Sequence, residues 1–293
     1  MPRKKKSSLE IVIVNYNAQF WLKKTLMSLK KFYLDQAYHQ VKVTVVDNAS
    51  EDDSVAMVKR NFRWANLIQA EANLGFAAAN NLALKKTQAD YVMLLNSDVE
   101  FTAESDLDQL VDYLNQHPKV AVITPKVIFT DGSIDPACHR GEPTLWASLT
   151  YFLKLESLMP NSKIFGQYHQ GFKDLNQVHQ VDAVSGAAMV VRKKAMDQVG
   201  LLDERFFMYA EDLDWCFRFR QAGWQIIFYP QVKLIHHKYK SGLKNTSQAI
   251  ARNTRKHFYD TMLQYYDKHY AHRYPKWVRG LVHTFITIKK GAI

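Results

Sequence analysis

The chain has 293 residues, 47% hydrophobic and 23% charged, a length for one large α/β domain with a C-terminal extension and a balance that excludes a disordered chain. Two cysteines, Cys138 and Cys216, with no Cys-x-x-Cys pair, give little support to a disulfide framework or a structural zinc site and favour a reducing compartment. The formal charge of +11 favours anionic partners, whether phospholipid, nucleic acid or a pyrophosphate-linked substrate.

The opening Arg3-Lys4-Lys5-Lys6 resembles the basic start of a signal peptide, but the apolar run at 11–14 is too short for its core. No run of about 18 uncharged apolar residues occurs, so no membrane-spanning helix is expected. Residues 11–14 and 41–46 are β-branched runs ending in polar clusters, Asn15-Tyr16-Asn17 and Asp47-Asn48-Ala49-Ser50. They read as buried parallel strands with loops at their C-terminal ends. Between them Trp21, Leu22, Leu26, Leu29 and Phe32 recur at helical spacing, and Ser50 is placed to cap the next helix. A strand at 66–69, a helix over 77–86 and a strong strand at 91–95 repeat the pattern, the last running into Asn96-Ser97-Asp98. Ligands of open α/β sheets bind beyond the carboxyl ends of the strands, so three polar clusters converge on one edge.

A strand at 120–123 precedes an irregular stretch, 131–178, of Gly, Pro, His and aromatic residues with no single period. The small-residue segment 181–191 carries Ser185-Gly186, and after it the run from Phe206 leads into a helix that stops at Gly223. Strands at 226–229 and 232–236 end in His236-His237, and from about Gln248 the chain is basic, aromatic and helical in pattern.

A carboxylate at the end of an apolar strand, as at Asp98, is costly to bury unless paired or bound to a cation, and a divalent cation bridging a diphosphate would give it a function. A bare surface loop is the alternative. Glu211, Asp212 and Asp214 crowd three acids beside Phe206, Phe207, Met208, Tyr209 and Trp215. They read either as an acidic first helical turn or as a partly desolvated site whose carboxylate acts as general base. His236-His237 supplies a nitrogen ligand or an exposed pair. The run from Asn73 to Asn81 enters a helix through Gly75 and small residues, which permits close backbone approach by a ligand or tight helix packing.

In this order Val12-Ile13-Val14-Asn15-Tyr16-Asn17, Asp47-Asn48-Ala49-Ser50, Asn73-Leu74-Gly75-Phe76, Leu95-Asn96-Ser97-Asp98, Ser185-Gly186 and Tyr209-Ala210-Glu211-Asp212 resemble the family 2 glycosyltransferases over residues 9–242. The resemblance is to the rhamnosyltransferase and galactofuranosyltransferase branch that builds surface polysaccharide. It implies an α/β GT-A fold, Rossmann-like with a mostly parallel central sheet, over 9–245, a basic tail at 1–8 and a helical extension at 246–293. It implies donor contacts from Tyr16, Asp47, Asn48, Asn73, Gly75, Asn81, Ser97 and Asp98, a Mg²⁺ or Mn²⁺ ion on Asp98 and His236, and Asp212 as catalytic base with Glu211 beside it. Trp215 and Asp214 are carried over as acceptor contacts. His236 is followed at the family's spacing by Ser241, but Lys238-Tyr239-Lys240 replaces the usual Gly-rich stretch.

The implied reaction is an inverting transfer of a rhamnose-like or related hexose from a dTDP- or UDP-linked donor to a saccharide or lipid-linked saccharide. An NAD-dependent oxidoreductase lacks support, because Asn15-Tyr16-Asn17-Ala18 stands where Gly-x-Gly-x-x-Gly is required. A metal-dependent nucleotidyltransferase and a non-catalytic nucleic-acid-binding protein remain as rivals, and the acidic cluster at Asp212 argues against a nucleic-acid partner. In the tail, Trp277, Leu281, Phe285 and Ile288 fall on one helical stripe among basic residues. That stripe reads as an interfacial anchor on an anionic leaflet, which would place a cytoplasmic protein at the inner face of the membrane, or as a packed face.

Overall fold

The β-branched runs become central strands in the computed structural model, which describes residues 6–238 and 248–291. The strands are β1 (Ser8–Asn15), β2 (Gln40–Asp47), β3 (Asn66–Gln69), β4 (Tyr91–Asn96), β5 (Val99–Glu100), β6 (Val120–Ile128), β7 (His179–Val181), β8 (Ala188–Arg192) and β9 (Gln225–His236). The helices are α1 (Gln19–Phe32), α2 (Ser54–Asn61), α3 (Gly75–Leu84), α4 (Asp108–Gln116), α5 (Leu145–Phe152), α6 (Leu155–Leu158), α7 (Lys193–Val199), α8 (Glu211–Gln221), α9 (Gln248–His269) and α10 (Lys276–Gly291).

The described strands form one sheet in the order β3-β2-β1-β4-β8-β6-β9-β5, with β7 on β9. From β3 to β4 every pairing is parallel, as the βαβ pattern requires. β8 then runs antiparallel between β4 and β6, and β5 and β7 run antiparallel to β9, which itself lies parallel to β6. The α/β architecture is the expected one, with a parallel half and a mixed half. A strand buried on both faces has the same apolar sequence whichever way its neighbours run, so the direction of β8 was not legible.

Two local readings change. Ser50 does not cap α2, which begins at Ser54; its hydroxyl instead accepts from the Asn15 side chain (3.1 Å) and the Asn17 amide (3.0 Å). The two strands expected around Pro230 are one strand, β9. Its pairing with β6 slips between Pro125 and Lys126, opposite Tyr229 and Lys233, and a strand tolerates prolines at such an irregularity.

Ile11, Ile13, Val45, Val92, Met93, Val122 and Val190 are fully buried in the sheet, beneath Leu22, Leu26 and Leu29 of α1. Each such side chain contributes about 1.5–3 kcal/mol through burial. The C-terminal helices bury a second apolar group: Tyr265, Tyr266 and Tyr270 close over Phe206 and Ala210, immediately before α8. Among the described residues no helix is long and apolar enough to cross a membrane.

Candidate active site

β1 and β2 end in register, Asn15 opposite Asp47, so their terminal loops emerge side by side. Asn15 Nδ2 donates to Asp47 Oδ1 (3.3 Å), and Asp47 Oδ2 accepts the Ser50 amide (3.0 Å), closing a turn in which Ala49 takes φ +63°. Tyr16 stands at its rim, 43% exposed. Asn48 carries the strip on: its amide donates to Asn73 Oδ1 (2.9 Å), and its carbonyl oxygen accepts from the Leu74 N–H (2.9 Å). Gly75 follows at φ +80°, where a Cβ would stand 2.3 Å from the Phe207 carbonyl oxygen, so only glycine fits. Asn81 lies deeper, with its amide donated to Leu202 O and Glu204 Oε1, both at 2.9 Å; at 1% exposure it ties α3 to the approach to α8 rather than facing a donor.

β4 delivers Asn96-Ser97-Asp98 to the same edge. Ser97 is buried, and its carbonyl accepts from Thr25 Oγ1 (2.8 Å), anchoring the turn to α1. Asp98 Oδ1 lies 3.2 Å from His236 Nε2 at the end of β9, and His236 Nδ1 lies 2.8 Å from Asp135 Oδ2. Burial disfavours the charged imidazole, but its bonds to Asp135 and Asp98 outweigh this and raise His236 to about 9. Burial likewise opposes ionisation of Asp135, yet the His236 bond and the Lys238 charge lower it to about 2.

This donor set suits a hard divalent cation. One carboxylate oxygen and one imidazole nitrogen at 3.2 Å match the roughly 3 Å between adjacent ligands of an octahedral shell. Asp135 stands behind the imidazole, as carboxylates do behind ligating histidines. Among the described residues no three His, Cys, Asp or Glu side chains form a cage, so diphosphate and water would complete the shell. His237 is not a second ligand candidate: it bonds Glu100 (2.7 Å) and stacks on Trp21. Tyr239, Lys240 and Ser241, like residues 1–5 of the basic tail, lie outside the described residues.

The acidic segment opens α8 after two consecutive left-handed residues, Tyr209 (φ +71°) and Ala210 (φ +63°), which turn the chain sharply into the helix. Asp212 Oδ2 accepts from Arg140 Nη2 (2.7 Å) and the Gly186 amide (3.3 Å), and among the described residues Oδ1 accepts only the Leu213 amide (2.7 Å). Oδ1 therefore retains capacity for a further donor. Glu211 is 6% exposed, and its Oε2 has no hydrogen-bond partner among the described residues. Burial and the adjacent Asp212 charge push its carboxyl up to about 8.

Backbone contacts join these groups. Phe76 N donates to Phe207 O (2.8 Å), Gly186 N reaches Asp212, and the next residue, Ala187, accepts from Asn96 N (3.0 Å), whose side chain lies 3.4 Å from His236 Nε2. Asp214 and Trp215 are not part of this surface. Both are fully buried: the Trp215 indole donates to Gly200 O (2.9 Å), while Asp214 is held by Arg218 (2.9 Å), His269 (2.7 Å) and Lys268. Their polar atoms are taken by protein partners, which leaves neither side chain open to an acceptor in this arrangement. Sequence reasoning missed Asp135 and Arg140, which lie in the stretch without a period; the turn-forming Asp135-Pro136 pair was their one signal.

Residues 10–178 match the family model described as glycosyl transferase family 2. The chain is 28% identical over 254 residues to the N-acetylglucosaminyl-diphospho-decaprenol L-rhamnosyltransferase of Mycobacterium tuberculosis, covering 83% of this chain and 80% of the relative. To rhamnosyltransferase WbbL of Escherichia coli it is 25% identical, covering 82% and 87%. In structure it is similar to the mannosyltransferase PcManGT of Pyrobaculum calidifontis, solved with GDP-Man and Mn²⁺: TM-score 0.59, 16% identity, 96% of this chain and 70% of that one.

Proposed function

This chain belongs to glycosyl transferase family 2 and is a glycosyltransferase of GT-A fold, and from that premise we propose that it is an inverting, metal-dependent enzyme that transfers a rhamnose-like hexose. The donor is a dTDP- or UDP-linked sugar and the acceptor a saccharide or lipid-linked saccharide used in surface polysaccharide. The observation that carries this reading is the chain of contacts from Asp212 through Gly186, Ala187 and Asn96 to the His236–Asp98 pair, which supports a base acting beside a cation-suited pair. The two rhamnosyltransferase relatives support the sugar class.

Asp47, Asn48, Asn73 and Gly75 line the strip that would take the nucleotide, with Tyr16 at its rim. Asp98 and His236 would hold Mg²⁺ or Mn²⁺, which supplies charge neutralisation for the departing diphosphate. Asp212 Oδ1 takes the proton from the acceptor hydroxyl as its oxygen attacks the anomeric carbon in line. Arg140 orients that carboxylate through Oδ2, and Glu211 holds a proton beside it. A single displacement inverts the anomeric centre and requires no covalent enzyme intermediate. A lipid-linked acceptor would bring the enzyme to the inner face of the membrane as a peripheral protein.

The test pairs product analysis with calorimetry. NMR of the product from dTDP- and UDP-sugars should show sugar moved with its anomeric configuration reversed. Donor binding should be strengthened by Mn²⁺ or Mg²⁺ in the native protein and lose that dependence in Asp98→Ala. Transfer of the nucleotide instead of the sugar, or donor affinity indifferent to the cation, overturns the reading.

A further inference from the structure

The stretch without a sequence period holds α5 and α6, and these helices with the segments that follow them turn apolar side chains outward. Leu149 is 46% exposed, Leu153 55%, Leu158 77% and Ile164 60%. On α10, Trp277, Leu281 and Ile288 recur at helical spacing and are 62–68% exposed, while Val282 and Ile286 pack inward. An isolated apolar residue at the surface is ordinary; two stripes of them are not.

The two stripes adjoin. The Phe152 ring of α5 meets the Phe285 ring of α10 edge to face at 5.5 Å, and Leu145 and Val282 pack against the same aromatic cluster. Leu149 lies one turn before Phe152, and Leu281 and Ile288 lie one turn to either side of Phe285. The free charges on the face itself are basic, whereas Arg279 and Lys290 of α10 are already paired with Asp267 and Asp260 of α9. Lys154, Lys163, Lys276 and Lys289 are exposed, α10 contains no acidic residue, and Glu156 of α6 is buried, accepting from the His169 amide (2.7 Å).

The face also borders the candidate base. α5 begins five residues after Arg140, which holds Asp212, and Leu145 packs with the cluster containing Ala210, two residues before Asp212.

We propose that α5, α6 and α10 form one docking face that lies on an anionic phospholipid bilayer, with apolar side chains in the interface and the lysines against lipid phosphates. The face sets the Asp212 side of the site at the bilayer surface, where the head group of a membrane-held acceptor would meet it; this purpose rests on the lipid-linked reading above, whereas the face itself does not. Apolar insertion and basic charge act together in such binding, since each basic residue near the leaflet adds only about 1 kcal/mol.

Co-sedimentation of the full chain with phosphatidylcholine vesicles, with and without phosphatidylglycerol, decides the matter. Binding should require phosphatidylglycerol and weaken as salt is added. The pair Leu158→Glu with Ile164→Glu, and separately Trp277→Glu with Leu281→Glu, should each weaken it by about tenfold or more. Because these positions are exposed, the melting temperature and donor hydrolysis in water should stay native, and either readout separates lost docking from a damaged fold. If only the α10 pair matters, the α5–α6 part of the face is wrong. If the native chain ignores anionic vesicles, the docking proposal is wrong, and retained sugar transfer leaves the catalytic reading standing. A dimer in light scattering that both pairs dissociate would instead make a second copy the occupant.

Discussion

At the scale of single residues, the arrangement around Asp212 pairs one guanidinium with two adjoining carboxyl groups. Arg140 bonds Asp212, and Glu211, buried beside it, is pushed up to about 8. One cation in a desolvated site supports one carboxylate, so the second keeps its proton. Asp212→Asn keeps the shape and removes the basicity. Its turnover should fall by roughly 10²–10⁴-fold with donor affinity retained, and a variant that keeps more than about a tenth of native turnover would remove Asp212 from the role of base. Glu211 makes a stability prediction with a definite sign. A carboxyl raised in the folded state from 4.5 to about 8 contributes fully below pH 4.5 and loses that contribution as pH rises through 8. Native stability to urea should therefore carry a declining component across that window, on the order of a few kcal/mol, that Glu211→Gln removes. An unchanged slope in the variant would place the proton elsewhere.

Among elements, α8 owes its position to the C-terminal helices as much as to the sheet. Asp214 is fully buried on α8, where it bonds Lys268 and His269 of α9 and Arg218 one turn along its own helix. Burial opposes its ionisation, but His269, Arg218 and Lys268 hold the carboxyl below its ordinary range. Phe207 stacks on His257, and Tyr265, Tyr266 and Tyr270 cover Phe206 and Ala210, so α9 braces the left-handed turn that precedes the base. Asp214→Asn removes the buried anion that Arg218, Lys268 and His269 share and should cost about 3–5 kcal/mol in urea unfolding. Turnover per folded molecule should stay near native. A stable variant with a raised acceptor KM would return Asp214 to acceptor binding.

Across the whole molecule, the sequence alone determined the βαβ start, the polar clusters at strand ends and the order of motifs that marks the family. These are local facts: β-branched runs bury, helical periods bury one face, and loops after parallel strands gather at one edge. Asp47, Asn48, Gly75, Asp98, Asp212 and His236 stood out as candidates because each lies where a periodic element begins or ends. Tertiary structure alone decided what those residues touch. Asp135 reaches His236 from 101 positions away, and Arg140 reaches Asp212 from 72, out of a stretch without a period. It also decided that Trp215 and Asp214 are packing and ion-pair residues, because the two sides of α8 carry similar acids and aromatics and only the position of α9 shows which side is covered. The exposed face of α5, α6 and α10 was half legible. Spacing showed a stripe on the last helix, but whether a stripe meets protein or solvent depends on which surfaces the rest of the chain has already covered, and that is settled only by folding.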